Sequence, residues 1–313
     1  SSNRVQGATY HAGDLTQHDQ IKKLVDELKP GVIIHAASPS PVTGTPKEYE
    51  NVNIRGTRNL LKAAKESEHV HAFIFTSSST LAKGPEHLNL AEDWPLANTD
   101  PKSPPYAKSK AAAEIMVLDA NNPATEGTTW AGHLATGSLR FPIIYGIREH
   151  TTIPGCLGAL AKGQTNATLG DGKNLWDFCS ASNCAVSHVL LASELLTSPG
   201  KTSGEAFNIN DGSPYPFWSF ARLCWKFAGW NPNPPPKVTN LPSWFALGLA
   251  SFLEWVYWIF TFGTKRPYNL GKQQVEYACF THTYSIEKAK TRLGYKPEVD
   301  FEVELKGAVE WCL

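Results

Sequence analysis

The sequence predicts an α/β fold: a doubly wound parallel sheet with a smaller lobe interleaved with it. Two observations carry the prediction. Apolar runs of strand length recur at 32–38 ("VIIHAAS"), 71–79 ("HAFIFTSSS") and 137–146 ("GSLRFPIIYG"), as expected of strands buried on both faces of a parallel sheet. Stretches of helical period lie between them, and strand–helix–strand alternation builds such sheets.

Taken in order, "GATYHAGDL" (7–15) reads as a short strand ending at a polar turn. Thr16 followed by Asp19 has the form of a helix start, with Ile21, Leu24, Val25 and Leu28 on one face and Pro30-Gly31 as the stop. A second helix is expected from about Pro46 to Ser67, its stripe of Tyr49, Asn53, Gly56, Leu60 and Ala64 facing the core. After the 71–79 strand, Pro104 and Pro105 suit the entrance of a helix that carries Tyr106 and Lys110. Beyond Gly146 the rhythm weakens: a turn and short strand at 169–178, a helix at 183–196, a last strand at 205–211 and a stiff proline loop at 232–236. The boundaries this implies are a cofactor-binding domain at 1–146, rejoined by 177–211, and a substrate lobe at 147–313.

Composition narrows the function classes. With 313 residues there is enough chain for a large core or two lobes. The net charge of +0 gives no electrostatic case for nucleic acid. Six cysteines without C-x-x-C spacing read as reduced thiols facing a cytosol, and neither they nor the ten histidines show metal-ligand spacing. The apolar stretch 241–262 allows three readings. It is long enough to span a bilayer, but Glu254 is costly at a bilayer centre. Its tryptophans, with Lys265 and Arg266 beyond, suit an interfacial segment, and a lid over an apolar ligand is the third reading.

Chemistry concentrates at the expected strand ends, where ligands bind in open α/β sheets. Asp14, His35-Ala36-Ala37 and Ser77-Ser78-Ser79 lie there. The small Ala36 and Ala37 would let a flat ligand approach the backbone, or would serve tight packing. Asn53, a polar amide on a core-facing stripe, is either locally satisfied or ties backbone and water to a catalytic lysine. Tyr106 and Lys110 share a helix face. A free phenol titrates near 10, so it needs neighbouring positive charge to act as a base at neutral pH. Lys110 and an oxidised nicotinamide would supply that charge. Ser78 would fix the reacting oxygen, and Tyr106 would exchange its proton.

Together with "GDL", "NVNIRGTRNLLKAA", "PPYAKSKAAAE", "LGDGKNLWDF", "GEAFNINDGSPYPFWSFAR" and "YSIEKAKTRLGYKPEVDFEVELKGAVEW", these segments cover nearly the whole chain in order. On them the sequence resembles the extended short-chain dehydrogenase/reductases, and within these the 3β-hydroxysteroid dehydrogenase/isomerase family, its fungal branch above all. The resemblance implies a Rossmann-like domain, with Ser78, Tyr106 and Lys110 catalytic and Asn53 as a fourth member. It places Asp14, Leu15, His35, Ala36, Ala37, Ser77 and Pro142, with Tyr106 and Lys110, at the cofactor. That cofactor is NAD, with NADP as the alternative. The implied reaction is oxidation of a 3β-hydroxyl of a sterol or related terpenoid, or reduction of the ketone, with loss of a 4α-carboxyl in the branch it resembles. The implied setting is the cytosolic face of the endoplasmic reticulum membrane, with the cytoplasm as alternative, and a homodimer is left open.

The chain starts without Met, and no Gly-rich turn precedes Ser1. If the protein truly begins there, the sheet is expected to lack strands and to bind dinucleotide poorly, as a catalytically dead paralogue would. A sugar-nucleotide epimerase or dehydratase is the other alternative. The family's proline after "LR" stands one place later, as Pro142, and Ser180-Ala181 replaces Tyr-Val.

Overall fold

The structure, a computed structural model, describes residues 4–125, 128–262 and 271–313. In the first half, α1 (His18–Leu28) leads to β1 (Val32–His35), the turn α2 (Pro46–Glu48), a π-helix (Tyr49–Gly56) and α3 (Thr57–Glu66). Next come β2 (Ala72–Ser78), β3 (His87–Leu90), α4 (Pro105–Asp119) and β4 (Ala135–Phe141). Beyond these lie β5 (Ile143–Tyr145), α5 (Thr152–Ala161), β6 (Ala167–Leu169), β7 (Leu175–Trp176) and β8 (Phe178–Ser180). Helices α6 (Ala181–Thr197) and α7 (Pro199–Thr202) precede β9 (Glu205–Asn208), β10 (Tyr215–Pro216), α8 (Phe217–Phe227) and β11 (Thr239–Leu241). The chain closes with α9 (Ser243–Thr261), α10 (Lys272–Cys279), β12 (His282–Tyr284), α11 (Glu287–Leu293) and α12 (Phe301–Cys312).

The expected parallel sheet is present, in the order β1-β2-β4-β9. Its central strands are buried on both faces because side chains alternate into two cores. Phe73 and Phe75 pack with α1, α3 and α4 through Ile21, Leu61, Ala113 and Val117. Ile74 and Leu139 pack on the opposite face with Leu191 and Leu195 of α6 and Leu293 of α11. A second sheet, β10-β7-β12-β3, joins a strand of the first half to strands of the second. Asp177 stitches it, accepting from Tyr284 N at 2.6 Å and Asn210 Nδ2 at 2.8 Å.

Three local expectations are corrected. Residues 7–15 form no strand: they run as exposed coil to a turn, with no ladder partner among the described residues. β1 is therefore paired only with β2, and Ile34 is 47% exposed rather than buried. Thr16 does not cap α1: its hydroxyl and N–H both donate to Asp14 Oδ1 at 2.8 Å, and the cap position is Gln17. The 46–67 helix is present as a continuous run, but its middle is a π-helix.

Candidate active site

The site is assembled by the C-terminal ends of β1, β2 and β4 and the first turns of α4. Pro104 and Pro105 start α4, where missing N–H groups cost nothing. That start fixes Tyr106 and, one turn on, Lys110 over β2. Lys110 is 2% exposed; its Nζ donates to Thr76 O at 2.6 Å and lies 4.3 Å from the centre of the Phe75 ring. Tyr106 is half-buried, with the hydroxyls of Ser78 and Ser38 beside its phenol. Its ring meets that of Tyr49 edge-on at 5.5 Å. The structure thus brings Ser78, Tyr106 and Lys110 together.

Asn53 joins them through the π-helix. One wider turn frees backbone groups, which is why such turns recur at functional sites. Here Asn53 O accepts from Thr57 Oγ1 at 2.5 Å, so that hydroxyl must itself accept from His35 Nε2 at 2.9 Å. Asn53 Nδ2 donates to Ser109 Oγ at 2.9 Å, and Ser109 Oγ donates to Tyr106 O at 2.8 Å. The end of β1 is thereby tied to the turn that carries Tyr106. Asn53 Oδ1 is buried with no partner among the described residues.

Burial governs the electrostatics of this site. It raises the Tyr106 phenol above its ordinary value, against the hydrogen bonds from Ser78 and Ser38. It lowers Lys110 to about 7, against the pull of Glu114. Burial, with Lys110 beside it, lowers His35 to about 4, so the ring is neutral. Burial of the phenol thus opposes its ionisation, and positive charge placed beside it would favour the phenolate. Glu114 is itself engaged: Arg140 Nη2 and Nε reach it at 2.6 and 3.0 Å, and Ser138 Oγ at 2.8 Å.

The other residues expected at a cofactor line the same edge. Ala36 and Ala37 follow β1 and are exposed, leaving room for a flat ligand. Ser77 Oγ is buried without a partner among the described residues, and Pro142 is half-buried just after β4. Asp14 is exposed, its carboxyl held below the usual range by hydrogen bonds from the Thr16 N–H and hydroxyl. Leu15 packs on α3, where Asn59 Nδ2 donates to Leu15 O at 2.9 Å and a side chain at Gly56 would meet Leu15 Cβ at 3.1 Å. These orphaned polar atoms and small residues suit a flat ligand with hydrogen-bonding groups, as a dinucleotide is. Sequence reasoning missed Ser38, whose only signal was its place directly after Ala36-Ala37.

Residues 1–242 match the family described as 3-beta hydroxysteroid dehydrogenase/isomerase. The chain belongs to that family. A sterol-4-alpha-carboxylate 3-dehydrogenase, decarboxylating, of Schizosaccharomyces pombe is 33% identical over 305 residues, covering 97% of this chain and 84% of the relative. The enzyme of that name from Saccharomyces cerevisiae is 34% identical over 98% of this chain and 84% of its own. The one from Homo sapiens is 29% identical over 96% and 76%. Among solved structures, Bordetella bronchiseptica WbmG in complex with NAD and UDP superposes with a TM-score of 0.68 at 20% identity, covering 98% of this chain and 80% of that one. UDP-glucose 4-epimerase of Thermotoga maritima gives 0.69 at 19%, covering 99% and 86%. At such identities these two structures establish the Rossmann-like fold alone, and they bear out the fold class read from the sequence.

Proposed function

We propose that this member of the 3-beta hydroxysteroid dehydrogenase/isomerase family oxidises the 3β-hydroxyl of a sterol carrying a 4α-carboxyl group, with loss of carbon dioxide. The observation that carries the reading is the convergence of Ser78, Tyr106 and Lys110 in a chain 33% identical to a sterol-4-alpha-carboxylate 3-dehydrogenase over 97% of its length. Bound NAD supplies the hydride acceptor. Ser78 and Tyr106 hold the substrate's C3 oxygen between two hydroxyls. Tyr106 takes the alcohol proton, and Lys110 steadies the phenolate that accepts it. Once C3 is a ketone, the same two hydroxyls face the oxygen that becomes negative as the β-keto acid loses its carboxyl group. The experiment offers the protein NAD with either a 4α-carboxy-3β-hydroxysterol or UDP-glucose. Reduced nicotinamide is expected with the sterol acid only; turnover of the nucleotide sugar alone would transfer the site to the epimerase reading.

We further infer that the enzyme meets this substrate at a membrane surface, the cytosolic face of the endoplasmic reticulum being the setting that sterol chemistry and reduced cysteines suit. α9 supports this. Its small residues Ala246 and Ala250 pack against Val275 of α10, whereas Trp244, Phe252, Trp255, Trp258 and Phe260 are exposed. That is the reverse of a soluble helix, which hides its aromatics. Glu254 is accommodated because its Oε1 accepts from Lys272 N at 2.8 Å, satisfying a free amide at the start of α10. Lys265 and Arg266 lie outside the described residues. Replacing Trp255 and Trp258 together by Glu is expected to cut sedimentation with phosphatidylcholine vesicles at least tenfold while leaving NAD binding unchanged. Unaltered sedimentation would remove α9 as the contact.

A further inference from the structure

We propose that His188, on the far side of the sheet from the catalytic helix, is a positioning residue that sets Lys110 through Thr76. Thr76 is the one residue of β2 that faces both partners. Its side chain points to α6, where Thr76 Oγ1 lies 2.8 Å from His188 Nε2, and its backbone carbonyl accepts Lys110 Nζ at 2.6 Å. The connection runs from α6 through the strand to α4, helices that pack on opposite faces of β2.

The ring of His188 is held in one state. Its Nδ1 is 2.7 Å from Cys184 O, and a carbonyl only accepts, so Nδ1 carries the hydrogen. His188 is buried, and that burial lowers its pKa and keeps it neutral. Nε2 is then a bare acceptor, and the Thr76 hydroxyl must donate to it. The ring is also clamped by stacking on Phe141 at 5.4 Å and 19°, at the end of β4 next to Pro142. With a donor and an acceptor on one ring both engaged, His188 holds the side chain of the same strand residue whose carbonyl takes the lysine. Leu191 and Leu195, farther along the same helix, pack as apolar residues.

The groups around this relay are few. Lys110 feels Glu114 from its own helix and lies beside His35 of β1, and the nearest titratable neighbour of His188 is Cys184. None of them is altered by the test. The inference rests on reading Tyr106 and Lys110 as the proton-transfer pair, and the test separates the two. His188→Phe keeps the ring on Phe141 and loses both nitrogens; Thr76→Val keeps the branched shape and loses the hydroxyl; His188→Gln retains an acceptor. NAD affinity is measured by quenching of tryptophan emission, and the acid limb of the kcat–pH profile by turnover. In the Phe and Val variants the acid limb is expected to rise by about half to one pH unit, because a displaced Lys110 favours the phenolate less, and one unit is tenfold in the ionisation constant. NAD affinity is expected to fall several-fold in both, and the Gln variant to lie within twofold of the parent. A parent that binds no NAD would defeat the dehydrogenase reading itself. A parent that binds, with Thr76→Val matching it in affinity and acid limb, would overturn the role of His188 alone, as would a Gln variant impaired like Phe. A purely structural role would lower thermal stability and leave the limb in place. If His188→Phe does not fold, Thr76→Val decides.

Discussion

Tyr106→Phe is expected to lower kcat by about 10²–10⁴-fold, the range over which a positioned acid or base contributes, while the fold and NAD affinity stay as they are. The substitution is close to isosteric. The ring still meets Tyr49 edge-on, and Ser78 and Ser38 lose only a neighbouring hydroxyl. Ser78 keeps Thr80 Oγ1 at 2.9 Å, so no hydroxyl is stranded. What disappears is the one oxygen able to take the alcohol proton at that place. Because burial holds the free phenol above its ordinary value, the parent's activity should fall on the acid side of its profile. Turnover by the Phe variant within threefold of the parent would remove Tyr106 from the reaction.

Lys110→Met is expected to reduce turnover by about two orders of magnitude or more and to make the protein more stable. The sign follows from proton counting. Burial lowers the lysine from 10.5 to about 7 on folding. Between those values the unfolded chain holds more protons, so stability rises with pH through that window. Below pH 7 the folded chain carries the full cost of a buried ammonium. Methionine has no such cost and fills similar space. The gain in Tm should be largest below pH 7 and vanish towards pH 10.5. A gain of equal size at pH 6 and pH 10 would reduce the effect to packing, and a loss at both would contradict the buried-charge account. Such a residue, costly to the fold and kept at the site, is the expected form of a stability–activity trade-off.

The sequence made much of this legible, for physical reasons that differ by element. β2 and β4 announced themselves because strands buried on both faces must be apolar throughout. α4 did so because a double proline has few places to sit other than a helix entrance. Tyr106, Lys110 and Ser78 were readable as a set because their chemistry needs that spacing. The π-helix was not readable: nothing local tells an eight-residue stretch to widen its turn, and two of the groups bound to it or to its cap, His35 and Ser109, are distant in sequence. The coil at 7–15 failed as a strand because a short run ending at a polar turn cannot by itself supply a ladder partner. Ile34 failed as a core residue for the same reason, since a strand paired on one side leaves part of itself in solvent. The Glu114–Arg140 pair left one sign, a carboxylate in an otherwise apolar stretch of α4, but its partner 26 residues on is set by the β4 register.

The most direct test of the whole account counts products. The protein is given NAD and a 4α-carboxy-3β-hydroxysterol labelled in its carboxyl carbon, and reduced nicotinamide and released label are followed together. The account predicts that the two appear in equal amounts and that both disappear in Tyr106→Phe. Reduction without release would leave a dehydrogenase without the decarboxylating step, and neither product from a protein that binds NAD would contradict the assignment.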